Sequence, residues 1–594
     1  VDKVNAEIIL KEFQAVKTRR APWESVFELI ARYMLQRKQG FTSTEAPGNF
    51  YTHEDVLDST AGQALHTMVS SLDGALWKSN RTFQITPPRQ VRDSKVIKDF
   101  YAEINSRLQE QMEDEYAAFG TARKEALLEG GAFGTDAIGV FRARKPGRQK
   151  VEYRALPIKN LYVVEDSRGR VVKEFYEFEY DAFQLVEEYG EAAKTDKVKS
   201  LLEANNRDTK LKVLWVVRPR AKVDPTSEGV QKYSYESIHI LSDEKTVLRE
   251  GGYSSNPIIV TRFYKNEGEE YGRSPAFNAL SPTIELNALV EIITKGGELT
   301  ILPSWYVLDD GTFGNGVIDR SPGGVIPIDV TSSRITGMAP IGQIGAVGSL
   351  QSVLKLVEWL MAEINAHFFV DKLTDLNNST RMTLGEAQIR NELRADNTGA
   401  IFSRQIDEKL VPVIRRTIAV LEEEGELGVI PGSPLFIRLV ASGRVPLVLP
   451  PELLELKQQG VELYNIKFIS PAARILRSEE LRGVMSLCQF AAGFSGVKPE
   501  WLLWLDDDKI MPMASELFGA TDEILVSKEE YQKRFEAFMK SRQAQQQLEA
   551  AQMIAETGAK EASANQQNAQ AQATTAGSGG MPTGGQGNYM DLVM

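Results

Sequence analysis

From Tyr271 to Thr300 the chain reads YGRSPAFNALSPTIELNALVEIITKGGELT, and from Leu350 to Lys372 it reads LQSVLKLVEWLMAEINAHFFVDK. In the first stretch Ser281-Pro282 and, equally, Ser274-Pro275 offer a capping serine with a proline suited to a first helical turn, before an apolar run to Leu299. In the second, Leu350, Val353, Leu354, Val357, Leu360, Met361, Ile364 and Phe368 recur at three- and four-residue steps, which places them on one helical face. Between them, residues 300–348 hold four prolines and nine glycines, a composition no helix survives. An insert of that length is either unstructured or a module of its own, and Trp305–Leu308 and Gly324–Ile328 read as strands. The pattern is a two-helix stalk with a folded tip, followed by the polar loop Leu373–Met382.

The rest of the chain is large enough to carry such a device. At 594 residues it holds several domains' worth of sequence, 42% hydrophobic and 25% charged, ordinary for a folded soluble protein. Its single cysteine, Cys488, excludes an intrachain disulfide framework and fits a reducing setting. The formal net charge of −12 is the wrong sign for a protein that grips nucleic acid along its whole surface. No apolar leader and no run of about 18 apolar residues occurs, so neither a signal peptide nor a membrane span is expected.

Outward from the stalk the chain reads as α+β and mainly helical. Val4–Met34 is an amphipathic helix interrupted or kinked near Pro22, and a second helix opens with a capping-box-like Thr52-His53-Glu54-Asp55 and runs to Trp77. Thr82–Thr86 alternates like a strand, and Arg92–Glu129 reads as one long helix ending at Gly130-Gly131. Short strands follow at 138–141, 161–164, 173–180, 212–218, 233–241 and 258–263, broken by an acidic helix at Ala182–Tyr189. After the stalk, Thr383–Glu424 is helical, Val429–Pro451 irregular, Tyr464–Ile469 a strand and Ala472–Phe490 a helix. Short helices follow over Trp501–Lys540. From Arg542 the composition turns Gln/Ala-rich and from Thr557 Ser/Asn/Gln/Gly-rich, which predicts a fraying helix and then disorder.

Motifs that would carry chemistry are missing their partners. Gly130–Gly134 and Gly311–Gly316 lack both the Gly-Lys-Ser/Thr ending of a phosphate loop and the spacing of a dinucleotide fingerprint, and read as structural loops. The four histidines are scattered, so no metal and no cofactor is assigned. Asp506-Asp507-Asp508 reads as a solvated turn, and Ser352-Val353-Leu354-Lys355 lies inside the stalk helix, where such a match arises by chance. Lys372, Arg381, Arg390 and Arg394 flank or follow the polar loop and are placed either to approach a phosphate backbone or to form a solvated face. Nothing supports catalysis, and a structural or conducting role is expected, with no enzymatic activity.

Several segments resemble one known family. Tyr271-Gly272-Arg273-Ser274-Pro275 with Leu280–Asn287 is similar to the signature of the head-to-tail connector, or portal, proteins of short-tailed, T7-like bacteriophages (podoviruses). Arg381–Ala387 with Arg390 and Glu392, Ile469–Arg474, Gly130–Gly134 and Asp166–Tyr189 resemble further segments of it, so the likeness covers roughly Lys11 to Ser527. Ile475-Leu476-Arg477 departs from the pattern by being bulkier and less polar.

The resemblance implies a portal-type fold with wing, two-helix stem, α/β clip and helical crown. Residues 1–273 would form the wing, 274–299 and 349–372 the stem helices, and 300–348 the clip. Residues 373–382 would form the channel (tunnel) loop, 383–470 a wing helix with return strands, 471–556 the crown and 557–594 a disordered tail. It further implies a ring, normally of twelve subunits, at one capsid vertex of the virion, assembled in the host cytoplasm. That ring conducts double-stranded DNA in packaging and ejection.

Its partners would be the terminase large subunit, a tail adaptor protein, and capsid and scaffolding proteins, with no membrane. Lys372, Asn377, Asn378 and Arg381 become candidate channel contacts, and Trp305, Tyr306, Asp309, Asp310 and Phe313 candidate docking residues. Twelve copies at −12 each (12 × −12 = −144) would give an acidic bore that lets DNA slide. The alternative is a non-enzymatic scaffolding or adaptor protein that binds partners through the stalk without enclosing DNA. A nucleic-acid-processing enzyme has the least support.

Overall fold

The computed structural model describes residues 6–35, 41, 56–77, 82–91, 94–144, 149–224, 227, 229–302, 305–309, 324–329, 341–343, 350–370, 402–469, 478–494 and 528–575. The chain divides into two units, Val1–Arg92 with Val96–Asp522, and Asp93–Lys95 with Glu523–Met594.

The first unit is a mixed α/β body. It opens with α1 (Ala6–Met34), one continuous helix through Pro22, and α2 (Thr60–Leu76), which starts after Ser59. The Thr52–Asp55 pattern lies outside the described residues. Strand β1 (Phe83–Thr86) is followed by α3 (Lys95–Glu113) and α4 (Phe119–Phe133). The sequence suggests one helix over Arg92–Glu129, but Asp114 caps a single 3-10 turn and Ala118 takes a left-handed φ of 60°, which breaks the run. Nor do Gly130 and Gly131 end α4. A Cβ at Gly131 would lie 3.1 Å from Leu65, Met68 and Val69, so this glycine lets α4 lie close against α2, while a Cβ at Gly130 would collide with the Asp136 carboxylate. The helix ends three residues later at Gly134, whose φ of 77° is the usual left-handed cap.

Two sheets follow. Strands β2 (Thr135–Arg142) and β3 (Val151–Ala155) join β9 (Ile258–Arg262) in the order β3-β2-β9, all antiparallel. Between β3 and β9 the chain forms the antiparallel meander β4 (Leu161–Glu165), β5 (Val171–Tyr180), β6 (Leu211–Pro219), β7 (Tyr235–Leu241) and β8 (Thr246–Tyr253). Two helices, α5 (Ala182–Tyr189) and α6 (Asp196–Glu203), interrupt it. Asp181 and Gln184 close a reciprocal capping box on α5. β3, β8 and α6 add to the sequence reading; β3 (VEYRA) does alternate, and Val198, Leu201 and Leu202 of α6 do share one face, but each element is only five to eight residues long.

The cores explain why α1 is so long. Its first half buries Ile9, Phe13 and Val16 against Tyr162, Phe175, Leu214 and Ile238 of the meander. Its second half buries Phe27, Ile30 and Met34 in the main core with α2, α4 and the smaller sheet. Arg20 sits between the two, fully buried, donating from Nη1 to Leu161 O (2.6 Å) and from Nη2 to Lys159 O (3.1 Å), with Tyr162 under its guanidinium at 4.4 Å. A buried cation is tolerable here because carbonyls and an aromatic face replace water.

Toward the C-terminus, a π-helical turn Ile406–Leu410 leads into helix Val411–Glu424, followed by helices Pro434–Ala441, Pro451–Gln458 and Ser478–Phe494. The irregular reading of 429–451 thus misses a helix, capped by Ser433 and begun by Pro434. Strand β13 (Asn465–Phe468) pairs antiparallel with β1, stitching residue 83 to residue 468. The second unit contains one 48-residue helix, Lys528–Thr575. Disorder from Thr557 is therefore overturned as far as Thr575: polar as it is, the segment is rich in Ala and Gln, which favour helix even where no core is formed.

Candidate functional site: a helix pair with a small sheet at its end

The two apolar stretches form α7 (Pro275–Ile301) and α8 (Leu350–His367), which pack on each other. Of the two possible starts, the structure takes Ser274-Pro275, and the helix runs on through Pro282. Ser274 does not cap: its hydroxyl donates to Ala132 O at 2.7 Å, fastening the helix start to the end of α4. Burial then grades along the pair. Ala276, Ala279, Thr283, Leu286 and Asn287 of α7 and Val357, Leu360 and Ile364 of α8, with Phe368 just past its end, are buried, whereas Ile292, Ile301, Leu354 and Leu356 are exposed. One end is rooted in the body and the other stands clear of it.

The root depends on residues whose roles the sequence does not reveal. Asn287 Oδ1 accepts from Leu57 N (2.8 Å) and Asp58 N (3.0 Å), while its amide donates to Thr283 O, so α7 holds the approach to α2. Gly134 and Gly272 meet backbone to backbone. A Cβ on either would overlap the other's carbonyl oxygen, while Gly272 N donates to Thr135 Oγ1 at 2.8 Å. The Gly130–Gly134 and Tyr271–Pro275 segments, distant in sequence, are thus the two halves of one joint.

At the free end, strands β10 (Trp305–Asp309), β11 (Val325–Asp329) and β12 (Ile341–Gln343) form a sheet in the order β11-β10-β12, with β10 parallel to β11 and antiparallel to β12. Trp305 is paired in register with Val325, and both are exposed, while Tyr306 is half-buried. Asp309 ends β10. Asp310 and Phe313 lie outside the described residues, as do Lys372, Asn377, Asn378 and Arg381 of the polar loop.

The described chain beyond the loop is anchored firmly. Lys409, in the π-helical turn, is fully buried and donates to Asp136 Oδ2 at 2.8 Å. Burial pushes the Asp136 carboxyl up to about 6 despite the ammonium beside it, and the same burial lowers Lys409. Nearby, Arg123 grips Asp73 through two hydrogen bonds of 2.6 and 3.0 Å. Farther along the helix, the Thr417 and Tyr153 hydroxyls meet at 2.8 Å. A signal for Lys409 existed: the Ile406, Leu410, Val413 period sets a lysine on a core-facing position.

A second buried acid stands on β5. Glu174 on β5 accepts from Asn256 Nδ2 at 2.7 Å but leaves Oε2 unpartnered, and burial pushes its carboxyl up to about 8. A carboxyl raised in the folded state stabilises fully below its unfolded value near 4.5, and that contribution is lost as pH rises from there through 8. Glu174→Gln is therefore expected to flatten the decline between pH 5 and 8, worth on the order of 3 kcal/mol. Urea midpoints at both pH values measure it, and parallel wild-type and variant profiles would refute it.

The described chain thus combines a mixed α/β body with a rooted helix pair and a three-stranded sheet that follows it. Among the described residues, no three or more His, Cys, Asp or Glu side chains gather as metal ligands, and no helix is long and apolar enough to cross a membrane. The chain belongs to the bacteriophage head to tail connecting protein family, whose model matches residues 6–525. It is 25% identical over 543 residues to a probable portal protein of Bordetella phage BPP-1, covering 88% of this chain and 89% of that one. It is 24% identical over 567 residues to the portal protein of Salmonella phage epsilon15, covering 94% and 96%. A chain from the virion of the native gene transfer agent particle aligns with 68% of this chain and 91% of its own length, at 12% identity and a TM-score of 0.27.

Proposed function

We propose that this chain is a phage portal protein, a non-enzymatic component of the virion at the head–tail junction, which forms a ring of twelve at one capsid vertex. The carrying observation is the match to the connecting-protein family over residues 6–525, which takes in the body, the helix pair and its terminal sheet. In this reading α7 and α8 are the stem, residues 300–348 the clip, 373–382 the channel loop, and residues 471–556 the crown. The body is the wing. Double-stranded DNA passes through the ring in packaging and ejection, and the chain's overall −12 favours sliding over binding.

The exposed Trp305–Val325 pair supports the terminal sheet as the docking surface for the terminase large subunit and the tail adaptor in turn, since exposed aromatics are common anchors of interfaces. Capsid and scaffolding proteins would meet the body. Electron microscopy of the purified protein is expected to show a ring with a hole wide enough for duplex DNA. A stable monomer at high concentration, with no ring in assembled particles, refutes the reading. Deleting residues 300–348 is expected to keep the body folded and abolish motor or tail attachment, and persistent attachment would remove the docking assignment. Lys372→Glu, measured by DNA packaged per particle, tests the loop in the same system.

A further inference from the structure

Helix Pro434–Ala441 sits on an excursion pinched at its neck. Val429 N donates to Leu447 O (2.9 Å) and Leu449 N to Val429 O (3.0 Å), so residues 430–447 leave and rejoin the body at one point. The excursion is held from below by Leu439, which packs on Gly425 at the end of the preceding helix; a Cβ there would collide with it. Its other surface is apolar and uncovered: Ile437 is 61% exposed and Val445 89%, and Ile430, Val440 and Val448 are exposed as well. Soluble proteins seldom leave that many aliphatic side chains on one short projection without a partner.

Charge bears on the kind of surface that would complement it. From Leu427 to Pro451 there is no acidic residue, and Arg438 and Arg444 are the only charges. The chain as a whole is −12, so everything outside this stretch stands at −14. A cationic, apolar projection therefore complements the acidic remainder of a second copy and repels its own counterpart. Pairing through two unlike patches propagates around a ring, whereas a twofold contact would set projection against projection. Two arginines are also a small charge for holding a phosphate backbone.

We infer that residues 430–448 are the knob by which each copy inserts into an acid-bearing face of its neighbour in the ring, an inference that rests on the ring reading above. The test uses the full-length chain with a photoreactive residue in place of Val445, and separately the double substitution Ile437→Asp and Val445→Asp. Irradiation is expected to give covalent multiples of the chain, with the second attachment point outside 427–451. The double variant is expected to need about tenfold or more protein to form rings, with unchanged circular dichroism and melting, because only exposed side chains are altered. Rings that form at wild-type concentration without cross-links between copies would overturn the knob while leaving the portal reading intact. So would cross-links from position 445 to itself, to added DNA or to lipid vesicles. A wild-type chain that never forms rings removes both.

Discussion

Gly272→Ala is expected to destabilise the protein by about 4 kcal/mol or more, enough to empty the native state of a marginally stable domain. The new methyl would meet the Gly134 carbonyl oxygen and the Arg262 Cβ, and most of its new neighbours are backbone, which has no rotamer to yield. Gly134→Ala should do at least as much, since its φ of 77° adds left-handed strain to the same collision. Gly120, in α4, provides the control: an added methyl would have nothing within 4 Å, so alanine there should be neutral or slightly stabilising. Soluble yield and urea midpoints of the three variants measure the contrast, and a Gly272→Ala protein with the wild-type midpoint would disprove the interlocked joint.

The second large effect is at the buried ion pair. Lys409→Met strands the Asp136 carboxylate without its counter-charge, at a cost of about 3–5 kcal/mol near neutral pH. The double variant Lys409→Met, Asp136→Asn should lose less than the single one, since it leaves no charge to solvate. The cost of the single variant should also shrink on acidification. Burial already raises the Asp136 carboxyl to about 6, and loss of the ammonium raises it further, so protonation relieves the stranded charge as pH falls. Denaturation midpoints of both variants at pH 5 and 7.5 check the sign. A double variant less stable than the single one would show that the pair is not the source of the loss.

Much of the fold was legible because periodicity is a local property. The Val357, Leu360, Ile364 stripe of α8, continued by Phe368 just beyond it, is buried as its spacing predicts, and α5 carries its own capping box. The breaks were not legible, because they depend on residues across the fold. Gly130-Gly131 reads as a stop until Asp136 is seen against the first glycine and α2 against the second, and nothing near Ala118 announces a left-handed residue. The pairing of β1 with β13 joins Phe83 to Phe468, beyond any pattern confined to one segment. In the functional region, the helix pair and two of the three strands of its terminal sheet could be read from local pattern, whereas the three-residue strand Ile341–Gln343 is too short to show one. Asn287 and Asp136 could not, since each acts on a distant segment. The candidate loop residues Lys372, Asn377, Asn378 and Arg381 lie outside the described residues.

The two-core burial of α1 has a consequence for synthesis. This helix is synthesised well before the strands that cover Ile9, Phe13 and Val16, which end only at Leu241. At about 5–20 residues per second, the apolar stripe waits roughly 10–45 s on the ribosome before its partners exist. A nascent chain of this protein should therefore recruit holding chaperones through its first helix, and release them when the five-stranded meander closes.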